Sequence, residues 1–275
     1  MRPLVVPTRI KNLLRYSEDE KAYIVRQQYK SLLKGVPEVT VVIPAYNEEA
    51  TILNALVSVT ANITHFSVEV IVVNNNSTDR TEELVRSTGV RCINETTKGV
   101  KAARTAGLMA AAGKYILNAD ADSIYAPAWV ETMITPLENN TDIALTYGTF
   151  AFLPGPHDSR FPYFVYESMA DVLRMFKRWF REEAVNVYGC SSGFRRSQCL
   201  QVDGYEHPPG ANEDGYLALK LRDKGLGKLK RMPGSNIIVW TIDRHLQQDG
   251  GLMKSFFIRV KGAIFGHDPK HYHQK

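Results

Sequence analysis

The stretch YILNADADSI, Tyr115 to Ile124, ends an apolar run on two aspartates one residue apart, Asp120 and Asp122. In an extended segment, side chains two apart point to the same side with Cα atoms roughly 6.5–7 Å apart. The spacing thus predicts that both carboxylates address one ligand. Such oxygens suit a hard divalent cation, and Mg2+ or Mn2+ is typically held by one or two carboxylates while substrate phosphates complete its shell. Two carboxylates make a weak site unaided, so the pattern implies a metal that arrives with a phosphorylated ligand. A D-x-D triplet also arises often by chance, and the plain alternative is a wet loop after a strand. A second pair, Glu213 and Asp214, opens the segment EDGYLALKLRDKG. The helix macrodipole alone favours acidic residues at a helix start, so this pair acquires chemical meaning only from the rest of the chain.

The elements that must hold these residues follow from the hydrophobic pattern. VTVVIPAYNEE reads as a β-branched strand closed by Pro44, with Ile52, Leu56 and Val59 then falling at helical spacing. The unit repeats: Val68 to Val73 as a strand, Ser77 or Thr78 as a cap, and a helix over 79–86. A third unit runs from VRCI through an alanine-rich helix over 100–112 into a strand over 115–118. Strands alternating with helices at this interval predict a parallel sheet covered on both faces. Ligands in open α/β sheets bind beyond the carboxyl ends of the strands, and the polar clusters PAYNEE, NNNSTD and NADADS all lie there. Further on, the pattern predicts a helix over 127–137, one strand over 143–152, and an aromatic, basic helix over 161–181. In that helix Phe164, Met169, Leu173, Phe176 and Phe180 would form one apolar face, with Arg174, Lys177, Arg178 and Arg181 elsewhere. Such a face suits a packed core, an acceptor or a membrane surface.

At 275 residues and 44% hydrophobic content the chain is sufficient for one large α/β domain or two small ones. No window approaches the eighteen or so apolar residues of a spanning helix, and the N-terminal apolar stretch is too short for a signal peptide. The expected location is cytoplasmic, either free or held peripherally at the inner face of the membrane. Three cysteines without C-x-x-C spacing suggest neither a disulfide framework nor a zinc site. The net charge of +5 is compatible with a phosphate-bearing substrate or an anionic surface. Nucleic acid is not expected as a partner, since no finger, helix-turn-helix or aromatic-basic ribonucleoprotein pattern occurs.

VVIPAYNEE, VIVVNNNSTDRT, KGVKAARTAGLMAAAGKYILNADAD, GCSSGFRRS and NEDGYLALKLRDKG occur in the order and spacing of family 2 glycosyltransferases, which the chain resembles over roughly residues 39–240. The resemblance implies a GT-A (Rossmann-like) α/β fold of three layers, with a mainly parallel central sheet flanked by helices. It also implies transfer of a sugar from a nucleotide-diphosphate sugar, usually with inversion, with Mn2+ or Mg2+ as cofactor. UDP-sugar is the favoured donor, GDP-sugar a possible one, and a glycan or lipid-linked molecule the acceptor. By that resemblance Pro44, Ala45 and Tyr46 hold the base, Tyr46 by stacking, with Glu48 near the ribose. Asn74 and Asn75 stand where the family usually has acidic residues reading the base; an asparagine keeps a carbonyl acceptor but loses the charge. Lys98 matches a basic contact to the nucleotide, Asp120 touches ribose or sugar, and Asp122 ligates the metal. Asp214 is the implied catalytic base, with Glu213 beside it in acceptor binding, and Ser192 and Gly193 line the sugar and acceptor side. Thr105 replaces an asparagine common in the family's third motif. Some relatives use a late histidine as a further metal ligand or a late arginine for phosphate, which makes His245 and Arg244 candidates. The tail histidines His267, His271 and His273 receive no role.

The domain organisation expected is a helical extension over 1–36, a catalytic domain over 37–240, and a basic amphipathic segment over 241–275 that packs on or extends it. The leading reading is a metal-dependent inverting glycosyltransferase of cell-surface or exopolysaccharide synthesis. The alternatives are a polyprenyl-phosphate glycosyltransferase at the membrane surface and a degenerate nucleotide-sugar binding module.

Overall fold

A computed structural model describes residues 2–155, 158–180, 183–234, 237–242 and 254. The chain begins with two helices, α1 (Thr8–Arg15) and α2 (Glu18–Leu32). Ser17 and Glu20 close a reciprocal capping box at the start of α2, satisfying two backbone N–H groups that the first turn leaves without partners. Ile10, Leu13, Val25 and Leu32 are buried in the same cluster as the first strands, so this segment packs into the main core.

Four parallel strands follow, β1 (Val39–Ala45), β2 (Val68–Asn74), β3 (Arg91–Asn94) and β4 (Tyr115–Asn118), joined by helices α3 (Ile52–Thr60), α4 (Thr81–Ser87) and α5 (Val100–Ala110). After β4 come the short strand β5 (Ser123–Ile124), helix α6 (Trp129–Asn139), β6 (Ile143–Tyr147), β7 (Phe150–Leu153) and the long helix α7 (Arg160–Phe180). The chain continues through β8 (Ser192–Arg195), α8 (Arg196–Gln201), α9 (Glu213–Asp223), β9 (Lys228–Arg231) and β10 (Val239–Ile242). Seven strands form the central sheet in the order β3-β2-β1-β4-β8-β6-β9, with β8 antiparallel to both its neighbours. A small sheet, β5-β10-β7, stands beside it. Along β1, Val39, Val41 and Ile43 join one core cluster and Val42 the other. The period of two thus gives both faces of the sheet to buried apolar layers, and the three-layer α/β expectation holds.

Several expectations are corrected in detail. The single strand over 143–152 is two strands in different sheets, split where Gly148 donates to the Ser191 carbonyl at 2.9 Å. A Cβ at Gly148 would collide with Ser191 Oγ, so any larger residue there would require Ser191 to move. Helix α4 begins at Thr81, where Asp79 accepts from the Thr81 backbone at 3.0 Å. Ser77 and Thr78 serve instead as partners of Asn47, at 3.0 and 2.8 Å. Helix α5 stops at Ala110 because the next amides leave for side chains: Ala112 donates to Glu69 at 2.6 Å and Gly113 to Thr40 at 2.9 Å. On α7 the exposed face is Phe161, Val165, Met169, Val172 and Met175, and Phe164 is partly buried. The side chains of Leu173, Phe176 and Phe180 fall outside the described ones.

Candidate active site

Strand β4 runs next to β1 and delivers Asn118 to the carboxyl edge of the sheet. Ala119 still donates to Val42 at 3.0 Å, after which the chain turns at Ala121 and Asp122. This corrects the extended geometry expected of the two aspartates, because the turn gives each its own surroundings. Asp120 accepts from Arg104 Nη2 at 3.0 Å, and its backbone N–H is held by the Tyr125 hydroxyl at 2.7 Å. Asp122 accepts from Ser123 Oγ at 3.2 Å and from Thr241 Oγ1 on β10 at 3.4 Å. The small sheet therefore anchors the Asp122 side of the loop, and α5 anchors the Asp120 side.

The second carboxylate pair reaches the same place. Asn212 caps α9 through Gly215 N–H at 3.1 Å, which frees Asp214 from capping. Its side chain turns inward and is 2% exposed, with Oδ1 accepting from Asn118 Nδ2 at 3.0 Å. Asn118 in turn donates to Ser192 Oγ at 3.1 Å and accepts from the Tyr205 hydroxyl at 2.6 Å. Asp214 Oδ2 lies 3.7 Å from Arg104 Nη2, and Glu213 Oε1 lies 3.8 Å from Arg104 Nε. Burial pushes the Asp214 carboxyl up to about 7; Arg104 pulls against the rise while the Glu213 and Asp120 carboxylates add to it. For Arg104 the balance is reversed. Burial works against its charge, but Asp214 and Asp120 outweigh burial and hold the guanidinium more firmly protonated.

The other expected site residues divide by exposure. Ala45 is buried at the end of β1, while Tyr46 beyond it is 53% exposed, an open ring of the kind that stacking needs. Pro44 is the last residue but one of β1. The Glu48 carboxylate accepts from Thr51 Oγ1 at 2.6 Å. Asn74 and Asn75 are buried and bonded within the protein: Asn74 donates to Glu82 and Asn94, and Asn75 donates to the Glu95 and Thr97 carbonyls at 3.0 and 2.7 Å. Asn75 Oδ1 also accepts from Gly99 N–H at 2.8 Å, so this amide ties down the loop whose exposed tip is Lys98. Ser192 and Gly193 are buried inside β8, between β4 and β6. The expectation is that they line the sugar and acceptor side; here a Cβ at Gly193 would lie 2.8 Å from Leu117 Cδ2, and Ser192 reaches the site through Asn118. His245 and Arg244 lie outside the described residues.

Three residues central to the geometry were not singled out from the sequence. Arg104 is the one whose signal was legible, a lone charge among Ala103, Gly107 and Leu108 on the buried face of α5. Asn118, a polar residue ending an apolar strand, carried a weaker one. Gly189 carried none; a Cβ there would collide with Asp214 Oδ2 and Arg104 Nη2.

As donors for a cation, the described carboxylates Asp120, Asp122, Glu213 and Asp214 supply hard oxygen. Among the described residues no group of three or more His, Cys, Asp or Glu side chains could hold a metal. Partly exposed Asp122 thus fits an ion that completes its shell from a ligand's phosphates.

The model of glycosyl transferase family 2 matches residues 40–200, a span that holds Asp120 and Asp122 and ends before Glu213 and Asp214. The chain belongs to that family. Among curated relatives, the family member resembles a glucosyl-dolichyl phosphate glucuronosyltransferase of Haloferax volcanii, 29% identical over 127 residues that cover 45% of this chain and 40% of the other. Glycosyltransferase GlyA of Streptococcus pneumoniae is 26% identical over 231 residues, 74% of this chain and 32% of its own. The chain spans less than half the length of these relatives. Among solved structures, a mannosyltransferase of Pyrobaculum calidifontis in complex with GDP-Man and Mn2+ superposes with a TM-score of 0.56 at 20% identity, covering 92% of this chain and 75% of that one. The glucosyl-3-phosphoglycerate synthase of Mycobacterium tuberculosis with Mn2+, UDP-glucose and phosphoglyceric acid gives 0.54 at 20% identity, covering 90% and 84%. At that identity the likeness shows the fold, which is GT-A.

Proposed function

We propose that the protein transfers a sugar, with inversion, from a nucleotide-diphosphate sugar to an acceptor hydroxyl in cell-surface or exopolysaccharide synthesis on the cytoplasmic side. The observation that carries this reading is the convergence of Asp120 and Asp214 on one arginine, although 94 positions (214 − 120) separate them in sequence. Asp214 Oδ2, at 3.7 Å from Arg104, is beyond hydrogen-bond range and keeps a lone pair for the acceptor's proton. As that proton moves to Asp214, the acceptor oxygen bonds the anomeric carbon and the bond to the leaving diphosphate breaks; a single displacement inverts the centre. Asp122 would hold Mn2+ or Mg2+, which when bound supplies Lewis-acid stabilisation of diphosphate charge. Tyr46 stacks on the base, Glu48 and Asp120 face the ribose and sugar, and Lys98 meets the nucleotide. A UDP-sugar is the first donor to test and a GDP-sugar the second.

The test is a thermal-shift screen of UDP-, GDP- and dTDP-sugars with and without Mn2+, since a ligand bound to the folded state raises apparent stability by mass action. A donor that stabilises the protein with Mn2+ supports the reading; silence across the screen overturns it. Donor hydrolysis or transfer by the wild type but not by Asp214→Asn rejects a binding module without chemistry.

A second reading, a lipid-linked acceptor such as a polyprenyl phosphate, is favoured by α7. Phe161, Val165, Met169, Val172 and Met175 are 38–62% exposed at helical spacing along it, and the helix sequence carries Arg174, Lys177 and Arg178. A helix with an apolar face and basic residues suits the plane of an anionic membrane. No helix among the described residues is long and apolar enough to cross one. Retention on anionic vesicles, lost in the triple variant Phe161→Ser, Met169→Ser, Val172→Ser, supports this acceptor class. Indifference of the wild type to vesicles returns the acceptor to soluble glycans.

A further inference from the structure

The geometry points to Arg104 as the positioning residue that locks the donor-side carboxylate Asp120 and the acceptor-side carboxylate Asp214 into one fixed arrangement. The inference rests on the reading of Asp214 as the base and adds what keeps that base in place.

Arg104 is 2% exposed on α5. Its Nη2 donates to Asp120 Oδ1 at 3.0 Å and faces Asp214 Oδ2 at 3.7 Å, so one nitrogen stands between the two carboxylates. Its Nε faces Glu213 Oε1 at 3.8 Å, and among the described residues neither Nε nor Nη1 has a hydrogen-bond partner. A buried charge is tolerated where opposite charge surrounds it, and here three carboxylates do so. Uncompensated, those carboxylates would repel one another and drift apart. A planar, forked cation can address several acids from a fixed plane, which an ammonium on a flexible stem cannot.

The chain around Arg104 is shaped for this contact. Gly107, one turn further along α5, packs so closely on β1 that a Cβ would collide with Val42 Cγ1. The helix is thereby pressed against β1 and β2, and Arg104 reaches the loop after β4 through Asp120. On the opposite side Gly189 passes so near that a Cβ would strike both Arg104 Nη2 and Asp214 Oδ2. Gly107 thus sets how close the helix lies to the sheet, and Gly189 leaves room for one guanidinium and one carboxylate, which a merely structural arginine at a helix surface would not require.

The experiment separates positioning from folding. Arg104→Gln, Asp214→Asn and their double variant are melted at pH 8, above the value of about 7 that Asp214 has beside Arg104, so that an Asp214 left without the arginine must either stay charged or take up a proton, each at a cost in stability. If the pair is coupled, the double variant melts roughly 5 °C above Arg104→Gln, because removing Asp214 relieves a charge left without its partner. Additive losses overturn the inference whether or not the protein is active. Coupling in a wild type that neither binds nor transfers a nucleotide sugar leaves this inference standing and removes the proposed function instead. With a donor identified, Arg104→Lys and Gly189→Ala are compared by kcat and donor KM. The expected result is a loss of about 100-fold in kcat with donor KM within about 3-fold, the signature of misplacement. Gly189→Ala keeps every charge, so it remains informative if Arg104→Lys folds poorly. Wild-type kcat in Gly189→Ala, or in a folded Arg104→Lys, overturns the proposal.

Discussion

At the scale of single residues, the carboxylate with the strongest chemical character is Asp214. Burial, with Glu213 and Asp120 adding, holds it protonated up to about 7 against the pull of Arg104. A carboxyl raised to that value exchanges protons near neutral pH, where a general base is most effective. The pH profile of kcat/KM is therefore expected to rise through about 7 on its acid side. That limb should vanish in Asp214→Asn along with at least 1000-fold of the activity; an acid limb near 4 in the wild type would remove Asp214 as the base. The sign for stability is opposite. Between the ordinary carboxylate value near 4 and about 7, the folded chain binds more protons here than the unfolded chain. Raising pH through that window should thus lower the stability this group contributes, with no further change above it, as melting curves of wild type and Asp214→Asn would show. The sequence made Asp214 legible through its motif. Its burial was not legible, because that depends on Asn118, Gly189 and Arg104, each far along the chain.

At the scale of elements, the loops after β1, β2 and β4 were legible, since strand, polar cluster and helix alternate plainly. What each polar side chain does was less so. The motif resemblance leads one to expect an acidic residue at Asn75, yet its two amide hydrogens go to the Glu95 and Thr97 carbonyls. A carboxylate there would face two acceptors with none of the required donors, which gives a physical reason for asparagine in this chain. Asn75→Ala should release the 95–99 loop and with it Lys98, raising donor KM by roughly 10-fold with little change in kcat, the pattern of lost uniform binding. Asn75→Asp should be worse than Asn75→Ala, because it adds repulsion to the loss. Steady-state kinetics and amide exchange at residues 95–99 check both, and an Asn75→Asp variant with wild-type KM would refute the account. The split of the expected strand over 143–152 has a similar cause: Gly148 marks a crossing that depends on Ser191, 43 positions (191 − 148) further on.

At the scale of the whole molecule, the first 36 residues read as an extension because they are polar and lie ahead of the first strand. The structure gives them a different weight. Ile10 and Val25 have no exposed surface and share a core cluster with Val41, Leu56 and Trp129, while Arg9 Nη1 donates to the Tyr125 carbonyl at 3.1 Å. Tyr125 is the residue whose hydroxyl holds the Asp120 backbone, so helix α1 reaches within two contacts of the site. A polar sequence conceals this, because two short amphipathic helices place few apolar residues in the core and each counts heavily. Ile10→Ala should cost about 2–5 kcal/mol, the usual range for truncating a fully buried aliphatic side chain. If the helices belong to the cooperative unit, urea unfolding followed by circular dichroism and by tryptophan fluorescence should shift to lower midpoints together in that variant. An unchanged midpoint, or a separate early transition seen by circular dichroism alone, would show that α1 and α2 fold apart from the sheet. In that case the hold of α1 on Tyr125 could not contribute to the order of the Asp120 loop.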